Sequence, residues 1–95
     1  DDGTLIIDLH ADEVLETTAG MNSADIHHYQ MDIFKKTMAE NKKNKGQKII
    51  FIHGKGEGVL RQALIHELNY RYKNCTYQDA SFQEYGYGAT QVTIR

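Results

Sequence analysis

The chain has 95 residues and a formal net charge of −2, with 40% hydrophobic and 25% charged residues. This length and composition indicate one small folded domain, and they exclude both a disordered segment and a general polycationic binder of nucleic acid. The sequence has no apolar run of membrane length, no signal peptide and one cysteine, Cys75, which excludes a disulfide framework and a cysteine zinc site within the chain.

These features lead us to expect a cytoplasmic setting and no membrane partner. No internal repeat, linker or low-complexity run divides the chain. Because the first residue is Asp1 and not methionine, we also expect that residues 1–95 are a single domain taken from a longer protein, whose remaining part is a partner.

The hydrophobic pattern predicts the order strand, helix, strand, helix, strand, strand. The predicted strands are residues 4–9, 49–52, 75–82 and 90–94; the predicted helices begin at Asn22 or Ser23 and at Val59 and end near residues 43 and 72, and residues 12–21 are a predicted loop. Right-handed crossovers place the first two strands parallel, and the last two can form an antiparallel pair. We therefore predict an α/β two-layer sandwich with a four-stranded mixed sheet and two main helices.

Both helices are predicted from apolar residues that recur every three or four positions. In the first helix these residues are Ile26, Tyr29, Ile33, Thr37 and Met38. In the second they are Leu60, Leu64, Leu68 and Tyr72. We expect both stripes to face the core, and we expect His66, which lies off the second stripe, to be exposed.

Charge is distributed unevenly along the sequence. Residues 1–34 carry eight acidic side chains and no Lys or Arg, whereas residues 35–73 carry ten basic and three acidic side chains. The basic segment contains the glycine-rich stretch described next, which is compatible with a local phosphate-binding face. For Lys42, Lys43 and Lys45 an equally good interpretation is that they complement the carbonyl end of the first helix.

Residues 48–61 predict a strand, a tight glycine turn and a helix. Residues 49–52 are all apolar, as in a strand buried on both faces, and His53 would lie at the carboxyl end, where open α/β sheets bind ligands. The glycines of the turn are Gly54, Gly56 and Gly58. Glycine allows positive φ angles and close approach of a ligand, and the helix that follows begins with unpaired amides that attract phosphate.

Two cations accompany this turn, Lys55 within it and Arg61 in the first turn of the helix. A cation at a helix N-terminus is unfavourable by about 0.3–1 kcal/mol, which marks Arg61 as a candidate contact for an anionic ligand. The spacing excludes a P-loop, and Val59 stands where the dinucleotide-binding fingerprint requires a third glycine. A plain strand-to-helix turn without a ligand is an equally good interpretation of the glycines alone.

Three short motifs resemble the signature sequences of the Smr (small MutS-related) domain family. The central motif is His-Gly-Lys-Gly-x-Gly-Val-Leu-Arg at residues 53–61, the first is Ile-Asp-Leu-His-Ala at residues 7–11, and the third is Gly-Tyr-Gly-Ala-Thr at residues 86–90. Ala11 replaces the usual glycine of the first motif, and Tyr87 interrupts the glycine pair of the third. The motifs occur in the family's order, and the resemblance covers residues 5–95.

The resemblance implies a fold similar to the C-terminal domain of bacterial translation initiation factor three. It also implies binding of branched DNA or structured RNA, with nicking endonuclease or endoribonuclease activity in several members and a role in DNA repair. On this chain the implied catalytic residues are Asp8, His10 and His53, and the implied phosphate-binding residues are Gly54, Lys55 and Gly56, to which the helix-terminus argument adds Gly58 and Arg61.

These residues converge if the first two strands are neighbours, because both then end at one edge of the sheet. One histidine can move a proton during phosphodiester cleavage, while a second histidine or Lys55 stabilises a phosphate oxygen. Asp8 can orient an imidazole or bind a divalent ion such as Mg²⁺ or Mn²⁺. The spacing is not that of a structural zinc site, so we predict no tightly held metal. The alternative is that Asp8 only caps backbone groups and that His10 is a boundary residue.

Three functions remain open from the sequence. The first is a nuclease acting on DNA or RNA, and the second is a non-catalytic nucleic-acid-binding module of a larger protein, whose binding would be salt-sensitive. The third is a protein-interaction domain, for which nucleic acid would not compete. Incubation with supercoiled plasmid and RNA, with magnesium, manganese and EDTA, separates the first two.

Overall fold

The computed structural model describes residues 3–10, 20–54, 58–86 and 88–95. In chain order its elements are β1 (Leu5–Asp8), α1 (Ser23–Glu40), β2 (Lys48–Ile52), α2 (Val59–Arg71), β3 (Cys75–Asp79), α3 (Phe82–Tyr85) and β4 (Ala89–Ile94). This order confirms the predicted succession of strands and main helices, and it adds the single-turn helix α3 between the last two strands. The loop predicted at residues 12–21 lies outside the described residues except for its last two positions.

The four strands form one mixed sheet in the order β1-β2-β4-β3. β1 runs parallel to β2, with Asp8 opposite Ile52, whereas β4 is antiparallel to both β2 and β3. β1 and β2 therefore finish, and β4 begins, at the same end, which we term the carboxyl end of the sheet. β2 and β3 begin, and β4 finishes, at the opposite end, the amino end. The predicted mixed sheet with a parallel first pair is confirmed.

Helices α1 and α2 cover one face of the sheet, which we term the helix face. Aromatic edge contacts join α1 to the sheet and to the end of α2: the ring centroid of Phe34 lies 4.9 Å from that of Phe51 in β2 and 5.8 Å from that of Tyr72, the C-cap of α2. The aliphatic part of this core consists of Leu9, Met31, Met38, Ile49, Leu60, Leu64, Leu68, Val92 and Ile94. Full burial of one such side chain contributes about 1.5–3 kcal/mol. The three leucines of the predicted α2 stripe therefore belong to the core, as expected.

The structure of α1 differs from its prediction in two respects. Its buried residues are Gln30, Met31, Phe34, Thr37 and Met38, whereas Ile26, Tyr29 and Ile33 are only half-buried. The apolar pattern missed this orientation because a polar residue, Gln30, is buried to donate its amide to the Leu9 carbonyl at 2.7 Å. The helix also ends earlier than predicted, at Glu40, where the side chain of Asn41 donates to the Thr37 carbonyl at 2.9 Å.

The opposite face of the sheet, which we term the open face, is only partly covered. A small cluster packs there, formed by Ile50, Ile52, Ala80, Tyr85 and Ala89. The third strand ends at Asp79, short of its predicted end, because α3 begins at Phe82 and supplies this cover. Ile6 stays 54% exposed on the same face. Of the helices in the described residues, none has the length and apolar character needed to cross a bilayer.

Candidate functional site

The carboxyl end of β1 presents an aspartate and a histidine to the open face. Because side chains alternate along a strand, Asp8 and His10 lie on the face opposite to Leu9, which is buried in the core. His10 donates from Nδ1 to Asp8 Oδ1 across 2.6 Å, and its backbone amide donates to the same oxygen across 3.2 Å. The two side chains are about one-third exposed. Asp8 therefore makes both contacts that the sequence left as alternatives, to the backbone and to the imidazole.

His53 follows β2 directly and is buried, with 8% of its surface exposed. Its Nδ1 donates to the Gly54 carbonyl at 3.0 Å, and its Nε2 accepts from the Thr90 hydroxyl at 2.9 Å. Burial lowers the pKa of His53, an effect that the hydrogen bond to Gly54 opposes and the positive charge of Arg61 reinforces. The lowered pKa favours the neutral imidazole at neutral pH. Its proton lies on Nδ1 because the Gly54 carbonyl can only accept, and both ring nitrogens are bonded to protein atoms.

The two histidines lie at the same end of the sheet but on different faces. Thr90 is opposite Phe51 in the β2–β4 ladder, so it faces the helices, and His53 contacts it there. Asp8 is opposite Ile52, which belongs to the open face. Asp8, His10 and His53 therefore lie at one end of the sheet, as expected. The imidazole of His53 is on the helix face, however, and does not face Asp8 and His10 on the open face.

Gly54 lies between the two histidines: it follows His53 in the chain and lies beside His10. Its φ is +78°, and a Cβ added to it would lie 3.4 Å from the Cβ of His10. The backbone amides of His53 and Gly54 both donate to the Gly88 carbonyl, at 2.7 and 3.0 Å. This approach is so close that a Cβ at Gly88 would lie 2.4 Å from the carbonyl carbon of Gly54. Gly54 and Gly88 thus form a junction that fixes the turn after β2 against the start of β4.

The predicted anion-binding turn leads into α2, whose first turn contains no acidic residue. Gly58 is the N-cap, in a left-handed conformation with φ +81°, and it makes no side-chain hydrogen bond to the first amides. Arg61 donates from Nη2 to Asp79 Oδ1 at 3.0 Å, and both side chains are partly exposed. Two predicted phosphate contacts, Lys55 and Gly56, lie outside the described residues.

A groove of about 560 Å³ separates the start of α1 from the start of α2. Its lining residues are Ser23, Ala24, His27, Gln30, Val59 and Leu60. The start of α2 has neither a side-chain cap nor an acidic residue in its first turn, whereas at the start of α1 the Asn22 side chain accepts from the Asp25 amide and Asp25 adds a negative charge. Of the two helix starts beside the groove, that of α2 therefore presents the uncompensated partial positive charge at the carboxyl end of the sheet.

Sequence reasoning did not assign three residues of this region to the site. Gly88 and Thr90 belong to the third motif, so the motif itself was a signal, but their contacts with His53 and Gly54 depend on β4 lying beside β2. Asp79 had no signal, because its contact with Arg61 depends on where β3 ends. Among the described residues, no three His, Cys, Asp or Glu side chains are grouped so that they could hold a metal ion.

Comparison with known proteins identifies the family. The family model for the Smr domain matches residues 20–95. The crystal structure of the Smr domain of MutS2 from Thermus thermophilus is similar with a TM-score of 0.62 and 25% identity, over 97% of this chain and 99% of that chain. No curated protein sequence matches the chain at a significant level. The similarity to translation initiation factor three stays a prediction. On the family match and the shared fold, this chain belongs to the Smr domain family.

Proposed function

We propose that this Smr domain binds the phosphate backbone of DNA or RNA at the carboxyl end of its sheet and nicks it with Asp8 and His10. One observation carries the proposal. A partly exposed imidazole, bonded through Nδ1 to a carboxylate at 2.6 Å, lies against the glycine turn that precedes α2. A carboxylate in this position sets the tautomer and orientation of an imidazole that acts as acid and base.

In the proposed reaction His10 moves the proton. Its Nε2 takes a proton from the attacking water, or from the 2′-hydroxyl of RNA, as the new phosphorus–oxygen bond forms. The bond to the leaving oxygen breaks, and that oxygen receives a proton from the imidazolium or from solvent. The carboxylate of Asp8 stabilises the imidazolium that forms. The first amides of α2, with Lys55 and Arg61, stabilise the negative charge on the phosphate.

We assign His53 the role of a positioning residue. It is neutral and buried, and it holds the Gly54 carbonyl at 3.0 Å and the Thr90 hydroxyl at 2.9 Å. These bonds hold Gly54, the first residue of the turn, beside His10. The direct catalytic role expected from the sequence requires His53 to exchange one of these bonds for substrate, and it stays a prediction.

A divalent cation fits this site only as a weakly held partner of the substrate. Of the described carboxylates at this end, Asp8 is bonded to His10 and Asp79 to Arg61. Mg²⁺ binds through one or two carboxylates together with substrate phosphates, so Asp8 is the residue that would hold Mg²⁺ or Mn²⁺. Such an ion supplies charge neutralisation at the phosphate.

The test is cleavage of supercoiled plasmid and of a structured RNA, with Mg²⁺, with Mn²⁺ and with EDTA. We expect wild-type protein to nick at least one of them, and we expect His10→Ala to reduce the rate by about 10²–10⁴, the range for loss of a general acid–base. His28→Ala is the matched control, because His28 is an exposed histidine on α1 that also contacts an aspartate, Asp32. Equal rates for wild type and His10→Ala would exclude the proposed chemistry.

A non-catalytic nucleic-acid-binding module is the second candidate. The burial of His53 favours this candidate. Of the two histidines of the described site, His10 alone is then partly exposed, whereas cleavage needs one proton to be removed and another to be donated. This function predicts salt-sensitive binding that is lost in Lys55→Glu, with no cleavage under either metal ion. If the protein binds neither DNA nor RNA, the function left is a protein-interaction domain.

A further inference from the structure

A concentration of exposed positive charge lies at the amino end of the sheet, away from the candidate site. It comes from the α1–β2 connection, the α2–β3 connection and the last residue of the chain. We term these residues the basic surface: Lys42, Lys43, Lys45, Lys48, Arg71, Lys73 and Arg95, all exposed. Among the described residues the acids beside them are Glu40, Glu84, which lines a groove together with Lys48, and Glu67, which pairs with Arg71 at 3.1 Å. Counted over the described residues, seven bases less three acids leave four positive charges in a chain whose net charge is −2.

The carbonyl end of α1 is satisfied without these lysines. The last turn of α1 contains no basic residue, and the backbone amide of Asn41 bonds to the carbonyls of Thr37 and Met38. Lys42, Lys43 and Lys45 form no ion pair within the described part of the chain. Lysines of one sign that lie together repel one another, so the cluster weakens the folded state unless an anion binds to it.

The α1–β2 connection holds its lysines on an ordered backbone. Asn44 donates from its side chain to Asn41 Oδ1 at 3.0 Å. The Gly46 amide donates to the Ile94 carbonyl at 2.6 Å, and the Ile94 amide donates to the Gln47 carbonyl at 2.9 Å. The connection is thereby fastened both to α1 and to the end of β4. Less side-chain and backbone entropy is lost when a ligand binds to such a pre-ordered segment.

Two grooves beside this connection are lined by basic side chains. Lys45 and Lys48 line the first, and Lys42 and Arg71 line the second. Each groove can therefore receive a phosphate between two cations. Tyr70 lies next to this region, is 65% exposed and stacks on His66 with a centroid distance of 6.1 Å. An exposed aromatic ring beside basic side chains is a feature of surfaces that bind nucleic acid.

We propose that the basic surface is a second contact for the nucleic-acid backbone; this inference rests on the proposed function. β2 has five residues, so the two ends of the sheet are about 17 Å apart at about 3.3 Å per residue. Each strand of B-form DNA carries one phosphate per 3.4 Å or so of helix axis, so a duplex whose axis follows the β-strands places about five phosphates of one strand over this distance. One nucleic acid can thus contact both ends. The basic surface supplies affinity that does not depend on sequence, while the carboxyl end carries the chemistry.

The test compares two double variants of equal charge, Lys42→Glu with Lys43→Glu and Lys35→Glu with Lys36→Glu. All four lysines are exposed, but Lys35 and Lys36 lie within α1 and outside the basic surface. Binding to a labelled DNA duplex is measured by fluorescence anisotropy over a series of salt concentrations in EDTA. We expect the first variant to lose about tenfold or more in affinity, with the slope of log K against log salt reduced by about 2. We expect the second to lose less than about threefold.

Two outcomes overturn the inference. If the two variants lose equal affinity, or if neither loses any, the basic surface is not a contact; the proposed function survives provided that His10→Ala still abolishes nicking. If wild-type protein binds neither DNA nor RNA, the proposed function fails as well. Urea unfolding of both variants checks that each is folded.

Discussion

Gly88→Ala is the sharpest test of how the candidate site is built. Gly88 is not among the glycines with positive φ, so an alanine there has no intrinsic backbone penalty of that kind. Its requirement for glycine comes from contact, because a Cβ would lie 2.4, 2.6 and 2.7 Å from the carbonyl carbon, Cα and oxygen of Gly54. These are backbone atoms, so no side-chain rotation can relieve the collision, and the turn must move away from β4.

The cost follows from what that movement breaks. Two hydrogen bonds to the Gly88 carbonyl, from His53 and Gly54, contribute about 0.5–1.5 kcal/mol each, and overpacking costs a further 1–3 kcal/mol or so. We therefore expect Gly88→Ala to lower the free energy of unfolding by about 2–6 kcal/mol. Because Gly54 lies beside His10, we also expect nucleic-acid binding and nicking to fall at temperatures where the variant is still folded.

Gly86→Ala is the matched control for this measurement. Gly86 has φ +74°, and a Cβ added to it meets nothing within 4 Å. Its replacement reports only the strain of a backbone at φ +74° and ψ −163°, a region that is essentially confined to glycine and costs about 1–3 kcal/mol for other residues. Urea unfolding monitored by circular dichroism compares the two variants. If Gly88→Ala is no less stable than Gly86→Ala, the junction between Gly54 and Gly88 is not as close as described and the reasoning fails.

Two further predictions concern His53 and Asp79. Since burial lowers the pKa of His53, the unfolded chain takes up this proton more readily than the folded one; stability should be highest above about pH 6.5 and should decrease as the pH falls from there towards the lower pKa in the folded state. Urea unfolding at pH 7.5 and pH 5.5 should show this decrease in wild type and a smaller one in His53→Gln. Asp79→Asn removes the ion partner of Arg61, so it should change stability by less than about 1 kcal/mol and raise affinity for nucleic acid a few-fold at low salt. A weaker complex would show that Arg61 does not contact phosphate.

The element order and the parallel pair could be predicted because they depend on local pattern and on crossover handedness. The apolar run at residues 49–52 has the pattern of a buried strand, and the leucine stripe of α2 has the pattern of a helix that packs on a sheet. In so short a chain each pattern allows one plausible placement. His53 and His10 could be placed at the same end of the sheet for the same reason. The residues that carry the family resemblance lie at the ends of strands and at the start of a helix. Once the strands and helices were predicted, the positions of these residues in the fold followed.

The environment of His53 could not be predicted, because it depends on the strand order. β4 lies between β2 and β3, which brings Thr90 to the imidazole and Gly88 to Gly54. The sequence does not show which of the last two strands adjoins β2. The contact of Thr90 with His53 and that of Gly88 with Gly54 could therefore not be predicted. The pairing of Arg61 with Asp79 depends on where β3 ends, and β3 ends at Asp79 because α3 follows it. A four-residue helix is too short to show a periodic pattern in the sequence, so α3 could not be predicted.

The alternation along β1 has a consequence for how this family can diversify. Ile7 and Leu9 anchor the strand in the core, while Asp8 and His10 point outward from a strand that borders β2 alone. Replacing the two outward residues leaves the anchors untouched, so under the proposed function a protein can keep this architecture and lose or gain hydrolytic activity by changes at these two positions. Under that proposal, the fold of another protein would not show whether it cleaves nucleic acid, whereas the identity of these two side chains would.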